Sequence, residues 1–99
     1  MKSRQEEIKI IPAKPESLSA TIGELAGEID LNWDAVKDAR SYVVEVSKNR
    51  KDCWQQVDIV PVSKYTVSRL KGNSTYRFRI AVSDGNRQGP WSEVVTKKL

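Results

Sequence analysis

The sequence predicts an all-β fold, a sandwich or small barrel of short antiparallel strands wrapped around one core. Three observations predict it. Apolar residues recur at every second position in several runs, turn residues separate those runs at short intervals, and no helical apolar period survives for more than a turn. The chain has 99 residues, enough for one core and too few for a second. Its 38% hydrophobic and 30% charged residues suit a chain that folds rather than one that stays disordered.

Residues 1–14 carry Pro12, many charges and the small apolar knot Ile8, Ile10 and Ile11. They read as a tail or, through the alternation around Lys9, as a short edge strand, with the folded domain at 15–99. Leu18, Ala20 and Ile22 alternate with polar neighbours and give a first strand, closed by a turn from Gly23 to Gly27. In Glu28 to Trp33 the apolar residues Ile29, Leu31 and Trp33 share one face, and Asp30 and Asn32 face water. Ser41 to Ser47 repeats the pattern with Tyr42, Val44 and Val46 inward and with Val43 and Glu45 outward, in a run rich in β-branched residues. A basic loop at Asn49 to Asp52 leads to Trp54 to Ile59 and then Lys64 to Val67. Pro61, which cannot donate in a ladder, separates these two strands. The clearest strand is Thr75 to Ser83, where Tyr76, Phe78, Ile80 and Val82 point inward and Arg77, Arg79 and Ala81 outward. Asp84 to Pro90 is a loop by composition, and a last strand starts at Trp91 or Ser92 and ends at Lys97.

Three segments taken together resemble a known family. They are Ile29-Asp30-Leu31-Asn32-Trp33-Asp34-Ala35, the Ser41 to Val46 strand with its Tyr42, Val44 and Val46, and the run Leu70-Lys71-Gly72-Asn73-Ser74-Thr75-Tyr76-Arg77-Phe78-Arg79-Ile80. The chain from about Pro15 onward resembles a fibronectin type III domain. The resemblance implies a seven-stranded, antiparallel, immunoglobulin-like β-sandwich. Trp33 would take the place of the family's buried tryptophan, and Leu70, Gly72 and Tyr76 the places of its corner before the sixth strand. A buried Tyr76 ring needs a partner for its hydroxyl, and the corner lets it reach backbone a few residues upstream. Trp33, Tyr42, Leu70, Tyr76 and Phe78 form the expected structural core. Gly89-Pro90-Trp91-Ser92-Glu93 also resembles half of the Trp-Ser repeat of cytokine-receptor fibronectin domains. Trp91 is therefore expected to stack on Arg77 or Arg79, or on both.

Little in the chain suggests catalysis. It has no histidine, which removes the commonest general base and a common metal ligand. Cys53 is the single cysteine, so no internal disulfide or thiolate cluster can form and the thiol has no imidazole to activate it. The acids Asp30, Asp34, Asp38 and Glu45 read as solvated or salt-bridged outward groups. No phosphate loop or calcium loop is present, and neither cofactor nor metal is expected. The net charge of +4 is a mildly basic surface without the concentrated stripe of a nucleic-acid binder. No run is long enough to span a bilayer, and no export signal is visible.

The sequence therefore points to a non-enzymatic interaction or spacer module with an unidentified protein partner, monomeric or weakly self-associating, without nucleic acid or membrane. Recognition belongs to loops on a rigid scaffold, and Asp84, Asn86, Arg87 and Gln88 are the candidate contact residues. One alternative is assembly through strand pairing by the tail, Lys2 to Ile11. The resemblance alone adds two expectations, an extracellular or cell-surface setting and a role as accessory domain of a surface or carbohydrate-active enzyme.

Overall fold

The computed structural model describes residues 13–49, 52–84 and 86–99. The tail strand expected around Ile8 and Ile10 lies outside the described residues. Seven strands follow in chain order: β1 (Ser19–Ile22), β2 (Ile29–Asn32), β3 (Ser41–Lys48), β4 (Gln55–Val60), β5 (Lys64–Val67), β6 (Thr75–Ser83) and β7 (Val95–Lys98). They form two antiparallel sheets, β1-β2-β5 and β4-β3-β6-β7. The predicted all-β sandwich is the observed fold.

Alternation explains the core. Ile29, Leu31 and Trp33 from β2 and its exit meet Tyr42 and Val44 from β3 and Tyr76, Phe78, Ile80 and Val82 from β6. Phe78, Ile80, Ile29, Leu31 and Val44 are fully enclosed. The Trp33 and Tyr42 rings meet edge to face, with centroids 5.3 Å apart at 73°, the geometry that aromatic quadrupoles favour. Both buried tyrosines keep their hydroxyls bonded to backbone. Tyr42 accepts the N–H of Val36 at 2.8 Å, and Tyr76 accepts the N–H of Lys71, five residues upstream, at 2.8 Å.

The corner before β6 depends on a different glycine from the one in the sequence pattern. Gly72 has open space where a Cβ would stand, and the left-handed residues nearby are Arg69 and Asn73. The close approach is at Gly27, whose φ is +80° and whose Cβ position would fall 2.9 Å from the carbonyl oxygen of Leu70. Its own carbonyl accepts the N–H of Leu70 at 3.0 Å, so the β1–β2 turn anchors the corner.

Four details depart from the alternation. Val43 takes the outer face and is nevertheless only 4% exposed. It pairs across the ladder with Ala81, which is outward too and fully buried, so both members of this outward pair are shielded from water. Val46 and Leu70 are only half-buried, because they border the open end of the sandwich. Ile22, the last residue of the edge strand β1, is exposed beyond its pairing with Ile29. The last strand begins at Val95 rather than Trp91 or Ser92, because the Ser92 side chain interrupts the ladder. The Ser92 hydroxyl accepts the N–H of Ile80 at 3.0 Å, the bond a strand carbonyl would otherwise take.

Candidate functional site

Arg77 and Arg79 occupy outward positions of β6, on the side opposite Tyr76, Phe78 and Ile80, and this parity alone sends their long side chains across the outer face. Register places Glu45 directly beside Arg79 and Ser47 beside Arg77. Arg79 donates from Nε and Nη2 to a single carboxylate oxygen of Glu45, at 2.9 and 2.7 Å. Both side chains are about four-fifths covered.

The covering comes from two indole rings. The Arg79 guanidinium carbon lies 4.2 Å from the Trp54 ring centroid and 4.0 Å from that of Trp91. Arg79 is thus held between two aromatic rings with its edge turned to Glu45. Arg77 reaches the same Trp54 at 5.3 Å and donates to Asp52 at 3.3 Å. A planar guanidinium stacks while keeping its in-plane donors free, which a lysine cannot do. Each contact contributes between about 0.5 kcal/mol, the figure for an exposed pair, and about 2 kcal/mol, the figure for a desolvated one.

Of the three residues singled out in the sequence, Trp91 lies against Arg79 and Arg77 lies against Trp54. Trp54, Glu45 and Asp52 were not anticipated as members of this group. Trp54 precedes β4 by one residue, and Gln55 pairs with the inward Val46, so alternation sends Trp54 outward. The sequence signal was there in that parity, but the pairing of β4 with β3 shifts register between Val44 and Glu45, and a linear reading does not see the shift.

The hairpin after β6 borders this face. Asp84 Oδ1 accepts the N–H groups of Asn86 at 3.1 Å and Arg87 at 2.7 Å, and the Asp84 N–H donates to the Arg87 carbonyl at 3.0 Å. Those backbone bonds, Arg87 first, hold the Asp84 carboxyl below its ordinary range. Ser83 bridges to Gln88, and Gly89 N–H donates to the Val82 carbonyl at 2.9 Å. Asp84 therefore organises the turn, while the exposed Asn86, Arg87 and Gln88 project from it.

The other candidates are dispersed. Asp30 accepts the Thr66 hydroxyl at 2.7 Å, Glu45 belongs to Arg79, and Cys53 is exposed. Among the described residues no three His, Cys, Asp or Glu side chains are grouped to hold a metal ion, and no helix is long and apolar enough to cross a membrane.

The sequence model of the fibronectin type III domain matches residues 13–98. The chain belongs to that family. Its fold is in general a non-catalytic module of larger proteins, receptors and muscle proteins among them. Receptor-type tyrosine-protein phosphatase F of Danio rerio is 30% identical over 94 residues, covering 92% of this chain and 5% of that protein. This fibronectin type III domain therefore spans a small fraction of the curated relative it matches. Among solved structures, an Fn3-like protein from Clostridium thermocellum has a TM-score of 0.78 at 21% identity, covering 91% of this chain and 98% of that one. The sixth fibronectin type III domain of human fibronectin type III domain containing protein 3 has a TM-score of 0.75 at 22% identity, covering 91% and 87%. Likeness at these identities concerns the fold.

Proposed function

We propose that this fibronectin type III domain is a non-enzymatic interaction module whose contacts are made by the β6–β7 hairpin at the border of the stacked arginine face. The observation that carries the reading is the division of labour within the hairpin. Asp84 spends its carboxylate on the turn, so Asn86, Arg87 and Gln88 stand exposed on a backbone fixed at both ends. Preorganised polar loops lose little freedom on binding, which favours recognition. The buried Pro15 and the bond from the Asp34 N–H to the Glu16 carbonyl, 3.0 Å long, hold the chain where it enters the sandwich, and the exposed Lys14–Glu93 pair, 3.0 Å apart, adds little to them. A fixed entry suits a module that also spaces its neighbours.

The test compares proteins recovered from cells on the wild-type chain and on Arg87→Ala, quantified by mass spectrometry, with melting temperatures measured in parallel. A partner lost with Arg87→Ala at unchanged stability supports the hairpin as the contact. Identical recoveries on both chains remove it.

A further inference from the structure

A second site lies at the opposite end of the sandwich from the hairpin. A pocket of about 420 Å³ opens where β3 ends and β4 begins, within the size range of ligand-binding clefts. Its floor is apolar, made by Val46, Leu70 and the Tyr76 ring, and its rim carries Lys48, Gln55 and Cys53. The walls are fixed by backbone bonds. Leu70 is tied to Gly27, Tyr76 to Lys71 N–H, and Asn49, at φ 55°, accepts the Thr75 N–H and donates its own to the Thr75 carbonyl.

Lys48 lines this pocket, and two further lysines, Lys71 and Lys97, neighbour its Tyr76 through the backbone. In the four-stranded sheet Tyr76 lies between Lys48 on β3 and Lys97 on β7, and Lys71 supplies the N–H that its hydroxyl accepts. None of the three has an ion-pair partner among the described residues. Asp52, the acid next to Cys53, is engaged by Arg77. The pocket thus combines a half-buried apolar floor with uncompensated positive charge at its mouth.

We propose that this pocket binds an acidic segment of a partner protein, seating one large apolar side chain on Val46, Leu70 and Tyr76 and placing flanking carboxylates near Lys48, Lys71 and Lys97. Charge complementarity selects the segment and the apolar floor anchors it. A nucleic acid fits less well, because base stacking needs an open aromatic face. Tyr76 is 5% exposed, and Trp54 and Trp91 are already occupied by Arg79. This site is separate from the hairpin, so its failure leaves the hairpin reading untouched.

Cys53 supplies the readout, being the only thiol in the chain, exposed and on the rim. The rate of its alkylation by a maleimide is measured with and without a capped peptide Asp-Glu-Leu-Asp-Glu. The same ratio is measured with Asp-Glu-Gly-Asp-Glu, with Asn-Gln-Leu-Asn-Gln, and with a short single-stranded oligothymidine. The leucine peptide is expected to slow alkylation about fivefold or more at low salt, with the protection fading as salt screens the lysines. The double variant Lys48→Glu, Lys71→Glu is expected to lose that protection while keeping the wild-type urea midpoint. Equal protection by the glycine peptide, the amide peptide or the oligonucleotide overturns the proposal, as does the absence of protection at about millimolar leucine peptide.

Discussion

Replacing Ser92 by Ala tests the side-chain bond that delays the last strand. The Ser92 hydroxyl accepts the N–H of Ile80 at 3.0 Å and donates to the carbonyl of Glu93 at 2.9 Å. Ser92 is 6% exposed and Ile80 fully buried, so the variant leaves a donor unpaired where water has poor access. The reverse bond, from Ser92 N–H to the Ile80 carbonyl at 2.7 Å, survives. The loss is therefore one unsatisfied buried N–H and not the strand, roughly 1–3 kcal/mol. With a urea dependence of about 1 kcal/mol per molar for a small domain, Ser92→Ala lowers the midpoint by about 1–3 M at constant slope. Equilibrium unfolding followed by tryptophan fluorescence measures it, and amide exchange at Ile80 should accelerate selectively. Ser68→Ala, at an exposed loop position, stays within about 0.5 kcal/mol of wild type. A Ser92→Ala midpoint within about 0.3 M of wild type, or unaltered exchange at Ile80, would show that the Ile80 N–H does not depend on the Ser92 hydroxyl.

Tyr76→Phe deprives the Lys71 N–H of its acceptor; the expected cost is about 1 kcal/mol, seen as a melting temperature lower by roughly 4–8 °C, and an unchanged melt would show that water replaces the hydroxyl at no cost. A double-mutant cycle of Arg79→Ala with Trp91→Ala should return a coupling of about 0.5–2 kcal/mol, and additive effects would reduce the stack to coincidental proximity. The Asp84 carboxyl has a folded-state pKa below its ordinary value of 3.8, chiefly through Arg87 and Asn86 N–H bonds. A depressed folded value means the carboxylate adds stability above the unfolded pKa, and that stability is lost as pH falls through the folded one. Asp84→Asn should therefore flatten the acid limb of the stability profile, and parallel profiles for the two proteins would discard the linkage.

The parts of the fold legible in the sequence are those that repeat. β2 and β6 place an apolar residue at every second position, and a period of two leaves only the choice of which face turns inward. Tyr76 was legible for another reason, since a buried phenol must find a polar partner and the polar corner upstream offers one. Trp54 was hidden because its outward direction depends on a register shift between β3 and β4. The burial of Val43 was hidden because alternation assigns a face and says nothing of what lies on it. The start of β7 was hidden because a serine hydroxyl replaces a backbone acceptor, and no composition rule marks which serine will do so.

The same parity separates recognition from stability, and it decides which substitutions are informative. On β6, Phe78, Ile80 and Val82 belong to the core, and Arg77 and Arg79 to the outer face. Changes at the arginines can alter the stacked surface without opening a cavity beneath it, because the two sets point to opposite sides of one backbone. Tyr76 is the exception. Its ring closes one end of the core and also floors the lysine-rimmed pocket, so truncating it would remove a core aromatic, at a cost of roughly 3–5 kcal/mol by core precedent. Lost binding would then be indistinguishable from lost structure. The exposed lysines at 48 and 71 have no such second role, which is why charge reversal there, and not a change at Tyr76, separates a ligand site from an open end of the sandwich.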